Sequence, residues 1–297
     1  MNPVPPTTFK GILLAGGRGT RLFPMTAIVS KQLQPIYNKP MIYYPLTTLM
    51  AAGIREVLLI STPDDIPRFE GLLGDGRRWG IEITYAVQDQ PRGIAEALVI
   101  GEAFIAGHPS MLMLGDNLIY GRLDFLRAAL AATGNDATIF AYQVSNPQEY
   151  GVVDLDPRTL EARSLEEKPA APKSNWAVPG IYVYPPDAPA KARGLAPSAR
   201  GELEITDLNR LYLAERRLRA QPMGRGIAWL DTGTPESLLA AGNFVAAVEQ
   251  RQGLLIGSPE EVAFRMGYID AGGLDEAVAA LPRSLYRDYL ARIAQER

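Results

Sequence analysis

Apolar runs of strand length and amphipathic stretches of helix length alternate along the first half of this 297-residue chain. Residues 9–15, Phe-Lys-Gly-Ile-Leu-Leu-Ala, form a run that stops at Gly16, Gly17 and Gly19, the pattern of a strand leading into a glycine loop. Residues 56–61 and 110–114 are apolar without alternation, as in strands covered on both faces, whereas 81–87 alternates and 137–144 is again strand-like. Between these runs the spacing predicts four helices. They lie at 41–52, entered through Pro40 and stopped at Gly53; at 64–73, ended by Gly74 and Gly76; at 95–105; and at 124–132. Strand and helix alternating over 9–144 predict an α/β fold, a Rossmann-like, mostly parallel sheet flanked by helices with right-handed crossovers. Ligands of such sheets gather beyond the carboxyl ends of the strands, where the glycine loop and Asp116 both fall.

From Tyr150 the rhythm shortens. Strand-like pieces at 151–155, 160–165 and 177–184 are separated by prolines at 157, 169, 172, 179, 185, 186 and 189. They predict an added β-rich, partly antiparallel section that covers the open end of the sheet and could supply a second substrate's site. Residues 205–217 predict an amphipathic helix, 219–223 and 227–230 short strands, and 235–251 a long helix. The tail, 260–266 and 274–293, predicts helices with no cluster of catalytic side chains, a region for packing or oligomer contacts. The expected organisation is a disordered lead at 1–8, one domain over 9–251 with parts at about 9–144 and 145–234, and a helical region at 252–297.

Composition narrows the chemistry. Hydrophobic residues at 47% and charged residues at 21% are those of a soluble globular protein, and a net charge of −3 with pI near 5.4 predicts no nucleic-acid footprint. Without cysteine there is no disulfide, thiolate nucleophile or thiolate metal site, and the single histidine, His108, cannot build a histidine metal centre. Any metal is then held by oxygen ligands, which favours Mg²⁺. The first eight residues lack the charged start and apolar middle of a secretory signal. No apolar stretch approaches the roughly 18–20 residues of a membrane helix, so a cytoplasmic protein is expected.

The glycine loop is followed by Arg18, Arg21 and Lys31. Glycines let backbone N–H groups close on an anion and the basic side chains add charge, a combination suited to a polyphosphate. It is neither a Walker loop, which ends Gly-Lys-Ser/Thr, nor a dinucleotide fingerprint, since Leu22 stands where the third glycine belongs. By themselves these residues fit a tight corner with solvated charges equally well.

The blocks 11–22 (Gly-Ile-Leu-Leu-Ala-Gly-Gly-x-Gly-Thr-Arg-Leu) and 30–45 (Ser-Lys-Gln-Leu-x-Pro-Ile-Tyr-x-Lys-Pro-Met-Ile-Tyr-Tyr-Pro) closely resemble the sugar nucleotidylyltransferases. The likeness continues in the same order through 72–76, 114–117, 150–153, 166–169, 172–175, 198–207 and 228–234. The resemblance implies transfer of a thymidylyl group from dTTP to α-D-glucose 1-phosphate with Mg²⁺, a first step toward dTDP-L-rhamnose for surface polysaccharide. It also implies a homotetramer with a separate site at subunit contacts where dTDP-rhamnose inhibits.

Nucleotidyl transfer to a sugar phosphate needs neither a covalent intermediate nor a general base, because the attacking oxygen is already an anion at neutral pH. The work is to position two anions and to stabilise charge on the α-phosphate and departing pyrophosphate. By resemblance, Leu14, Ala15, Gly16, Gly17, Gly19 and Thr20 form the nucleotide loop, and Arg21 and Lys31 contact the triphosphate. Gln88 reads the pyrimidine edge with Gly93 making room, and Gln32 lies near the nucleotide. Asp116 and Asp231 are the Mg²⁺ ligands; on residue chemistry alone each is equally a turn cap. Lys168 and Arg200 approach the sugar phosphate, Glu167 the sugar hydroxyls, and Tyr150, Gly151 and Val178 complete the sugar pocket. The chain departs from the family at Asp89 (usually proline), Trp176 (tyrosine), Pro179 (threonine) and Pro235 (histidine), none of which removes a ligand. A non-catalytic nucleotide-sugar sensor on the same fold would have no need of both carboxylates.

Overall fold

The computed structural model describes residues 8–17 and 19–296. Arg18 and all but the last residue of the expected lead lie outside the described residues. In chain order the strands are β1 (Lys10–Leu14), β2 (Pro35–Ile36), β3 (Lys39–Pro40), β4 (Glu56–Ser61), β5 (Glu82–Val87), β6 (Ser110–Leu114) and β7 (Asn117–Tyr120). They continue with β8 (Ala137–Gln143), β9 (Gly151–Leu155), β10 (Ala162–Glu167), β11 (Trp176–Ala177), β12 (Ile181–Tyr184), β13 (Leu218–Pro222) and β14 (Ala228–Asp231). The helices are α1 (Tyr43–Ala51), α2 (Ile66–Leu73), α3 (Glu96–Ile100), α4 (Glu102–Ile105), α5 (Asp124–Ala132) and α6 (Ala188–Arg193). Five more follow: α7 (Ile205–Ala214), α8 (Pro235–Gln252), α9 (Pro259–Arg265), α10 (Ala271–Ala280) and α11 (Leu285–Gln295).

The expected α/β sheet is present. β1 runs parallel between β4 and β6, β5 extends the sheet beyond β4, and β13 lies parallel to β8. β12 runs antiparallel between β6 and β8. Side chains alternate through these strands into two cores. Leu13, for example, joins Leu46, Leu49 and Leu59, and Ile12 joins Leu58, Leu98 and Leu112. Covering both faces is what makes β1, β4 and β6 continuous apolar runs.

The antiparallel section is grafted onto this sheet through one interrupted strand. Trp176 pairs with Gln143 and Tyr182 with Ile139, so β11 and β12 follow the same edge of β8 with two extra residues between them. Pro179 has no N–H to give the ladder, and the break falls there. On the other edge, Ala177 pairs with Val152 of β9 while β12 pairs with β6. The N–H of Val178 donates to the Gly151 carbonyl (2.8 Å), and that of Gly180 to Oδ1 of Asn117 (3.1 Å).

Other sequence expectations need correction. The strand expected at 177–184 is these two pieces, and the helix at 95–105 is two short helices meeting at Gly101. The stretch 274–293 is α10 and α11, separated at Pro282, whose ring cannot continue a helix. The tiny β2–β3 pair and β7, which pairs antiparallel with β14, were not anticipated. Among the described residues no helix is long and apolar enough to cross a membrane.

Candidate active site

The β7–β14 ladder sets Asp231 opposite Asn117, which brings it beside Asp116 at the carboxyl end of β6. Two aspartates far apart in the chain thus share one cleft. Lys31 donates to Oδ2 of Asp116 (2.5 Å), Asn117 donates to its Oδ1 (2.8 Å), and buried Thr232 donates to its carbonyl (2.9 Å). Burial alone would raise the Asp116 carboxyl, but the adjacent Lys31 ammonium outweighs it and holds the group below its ordinary value. Asp231 is pushed up, first by burial and then by the negative Asp116, with Lys31 and Arg21 opposing. This is an all-oxygen donor pair whose mutual repulsion a hard cation would relieve. Among the described residues no three His, Cys, Asp or Glu side chains converge, but two carboxylates are as many as Mg²⁺ commonly takes from a protein.

The cleft continues toward the antiparallel section, lined by Arg21, Asp116, Tyr150, Glu167, Lys168 and Asp231 among others. Alternation along β10 turns Glu166 outward to Lys173 (2.6 Å) and Glu167 inward, where it accepts from Thr206 Oγ1 (2.6 Å). Lys168 follows with left-handed backbone, φ 42°, its N–H donating to the Tyr150 carbonyl (3.0 Å). Tyr150 packs edge-on against Trp229, whose indole N–H donates to Asn117 Oδ1 (2.6 Å). Gly151 and Val178 line the same cleft. Arg200 is at its margin. Its guanidinium grips both oxygens of Glu204 (2.8–3.1 Å) and reaches within 3.8 Å of Glu167.

At the other end, Leu14 and Ala15 close β1 against the ends of β4 and β6, with Ala15 N–H donating to Ile60 and Gly115 N–H to Leu14. Thr20, Arg21 and Leu22 form one 3₁₀ turn beginning after Gly19, and Lys31 and Gln32 start another. Gln32 donates to the Gly16 carbonyl (3.3 Å), and its buried Oε1 has no partner among the described residues. Gln88, at the end of β5, faces Gly16 and donates to Glu96. Gly93, with φ 104°, has to be glycine, because a Cβ there would lie 2.4 Å from the Leu203 carbonyl. Leu203 N–H in turn donates to the Arg92 carbonyl (2.7 Å), which ties this loop to the segment that carries Arg200.

Of the sequence-derived residues, Arg21, Asp116, Tyr150, Gly151, Glu167, Lys168, Val178 and Asp231 line the cleft, with Lys31 bound to Asp116 and Arg200 near Glu167, while Gln32 and Gln88 meet at Gly16. Reading of the sequence missed Asn117, Thr206, Trp229, Thr232, Glu96 and Glu204. Asn117 adjoins a motif aspartate, but nothing local signals that its amide links Asp116, Gly180 and Trp229.

Comparison with known proteins identifies the family. The model of the family "Nucleotidyl transferase" matches residues 10–248. The chain is 53% identical over 286 residues to a glucose-1-phosphate thymidylyltransferase of Mycobacterium tuberculosis, covering 96% of this chain and 99% of that one. It is 51% identical over 291 residues to the enzyme of that name from Xanthomonas campestris pv. campestris, covering 97% and 98%. A crystal structure of a Bacillus anthracis protein in complex with sucrose superposes with TM-score 0.74 at 36% identity, covering 80% of this chain and 94% of that one. With this match in sequence and fold, the chain belongs to the nucleotidyl transferase family, in its branch of glucose-1-phosphate thymidylyltransferases.

Proposed function

We propose that this chain joins dTTP to α-D-glucose 1-phosphate, giving dTDP-glucose and pyrophosphate. Near-full-length identity of about half to enzymes named for that reaction carries the substrate assignment. Arg21 and Lys168 in the cleft lining, Lys31 on Asp116 and Arg200 near Glu167 are the cations that such chemistry needs. A phosphate oxygen of the sugar phosphate attacks the α-phosphorus in line, and the bond from that phosphorus to the bridging oxygen of pyrophosphate breaks. Lys168 and Arg200 hold the sugar phosphate against its repulsion from the triphosphate, and Glu167 accepts from sugar hydroxyls. Arg21 and Lys31 meet the triphosphate and offset charge on the leaving pyrophosphate. Lys31 leaves Asp116 for phosphate when the triphosphate enters. Asp116 and Asp231 would hold Mg²⁺, which supplies charge neutralisation at the phosphates.

The same reading makes the reaction the opening step toward dTDP-L-rhamnose, in a cytoplasmic homotetramer with residues 252–297 at regulatory contacts that bind dTDP-rhamnose. Pyrophosphate release tests the core of it, with Mg²⁺ and glucose 1-phosphate, dTTP against UTP, and EDTA controls. Metal-dependent release that is faster with dTTP is expected, with modest UTP use because one methyl group is worth only about 1–3 kcal/mol. A clear UTP preference, or no release from folded protein, would overturn it.

A further inference from the structure

Gln88 is buried at the end of β5, its backbone N–H donating to the Ser61 carbonyl (2.8 Å). The two ends of its side-chain amide have opposite hydrogen-bonding character. Nε2 donates to Oε2 of Glu96 (2.7 Å), which is itself buried at the start of α3, and more weakly to the Gly93 carbonyl (3.4 Å). The other Glu96 oxygen accepts from Arg92, at 2.7 Å from Nε and 2.6 Å from the guanidinium terminus. A carboxylate has no hydrogen to give, so turning the Gln88 oxygen toward Glu96 would set two acceptors against each other. The amide oxygen therefore points the other way, 2.6 Å from where a Cβ on Gly16 would stand, toward the glycine loop.

We propose that Glu96, backed by Arg92, fixes which end of the Gln88 amide faces the nucleobase, and so makes a ring N–H on the base a requirement. This deepens the thymidylyl-transfer reading and rests on it. An acceptor at that place pairs with N3–H of thymine or uracil, whereas N3 of cytosine is an acceptor and is repelled. A site that hydrogen-bonds a group rejects a ligand lacking it more strongly than a hydrophobic pocket rejects a missing methyl. Glu96 acts through Gln88 and is a positioning residue.

The test is kcat/KM for dTTP and for dCTP, with glucose 1-phosphate, in the wild type and in E96Q, R92M and Q88L. A glutamine at 96 can donate as well as accept, which lets the Gln88 amide turn over. R92M removes the cation that holds Glu96 in place and so loosens the grip of its carboxylate on the Gln88 amide; because Arg92 is exposed, this variant keeps the test open if E96Q does not fold. The wild-type preference for dTTP is expected to fall about tenfold or more in E96Q and to move the same way in R92M, with dCTP turnover rising in absolute terms. A merely structural Glu96 would lower both nucleotides in proportion. An unchanged ratio in E96Q and R92M, with the ratio lost in Q88L, overturns the role of Glu96 alone. An unchanged ratio in all three removes Gln88 from the base as well. No dTTP turnover in the wild type overturns the thymidylyl reading and this inference with it.

Discussion

Lys168 combines a charge with a backbone conformation that few side chains adopt. Left-handed geometry at a non-glycine residue costs on the order of 1–3 kcal/mol and persists where the surroundings enforce it, here through the bond to Tyr150 and the end of β10. Lys168→Met keeps that backbone while deleting the ammonium. Its kcat/KM for glucose 1-phosphate should fall by about 10²–10³ with little change in melting temperature, the scale of losing one preorganised donor. Near-normal turnover at saturating substrate would reduce Lys168 to a surface lysine. The position was legible because Glu166-Glu-Lys-Pro169 is a recognisable block, yet the left-handed backbone was not, since nothing in the side-chain order reports φ. Glu96 was illegible for a different reason. A glutamate opening a helix reads as an ordinary first-turn acid, and its bond to a glutamine eight residues earlier exists only after the loop has folded back.

The β9–β10 hairpin shows the same division at the scale of elements. Its turn is closed by Asp156, whose Oδ1 accepts from the N–H groups of Thr159 (2.9 Å) and Arg158 (2.8 Å), with Arg163 on its other oxygen. Those backbone donors, Thr159 first, and then Arg163 bring the carboxyl down to about 2. An unfolded aspartate titrates near 3.9, roughly two units higher, so the folded state favours the ionised form. The stabilisation is therefore complete above about pH 4 and disappears as pH falls from about 4 to about 2. Melting curves of wild type and Asp156→Asn should differ at pH 7 and converge across that window; a difference that persists at pH 2 would mean that the carboxylate is not the source. Periodicity located the hairpin strands to within about two residues, because one face is apolar and the other polar. It could not assign strand neighbours. Nothing in residues 117–120 announces that they will pair with 228–231, although that pairing is what unites the two aspartates.

Across the whole molecule, the carboxyl-terminal helices cover α1 and the adjoining edge of the parallel sheet. Tyr268 donates to the Met50 carbonyl (2.8 Å), Ala263 is fully buried in the core that contains Trp79, and Tyr289 donates to Glu261 (2.5 Å). A chain ending at Gln252 would expose that apolar face. It should lose its cooperative melting transition and elute as aggregates on size exclusion; a stable, monodisperse truncation would show that these helices are dispensable for folding. The layered α/β architecture was legible from sequence rhythm alone, because burial on both faces leaves an unmistakable run of apolar residues. How the second section attaches was not, since it depends on one proline breaking one strand. That broken strand, 176–184, is a seam between the parallel part, which carries the glycine loop and Gln88, and the antiparallel part, which carries Glu167 and Lys168. On the proposed function the two substrates meet across this seam, and Tyr150 on one side is joined through Trp229 and Asn117 to Asp116 on the other, so a change in residues 150–178 is felt at the phosphates as well as at the sugar.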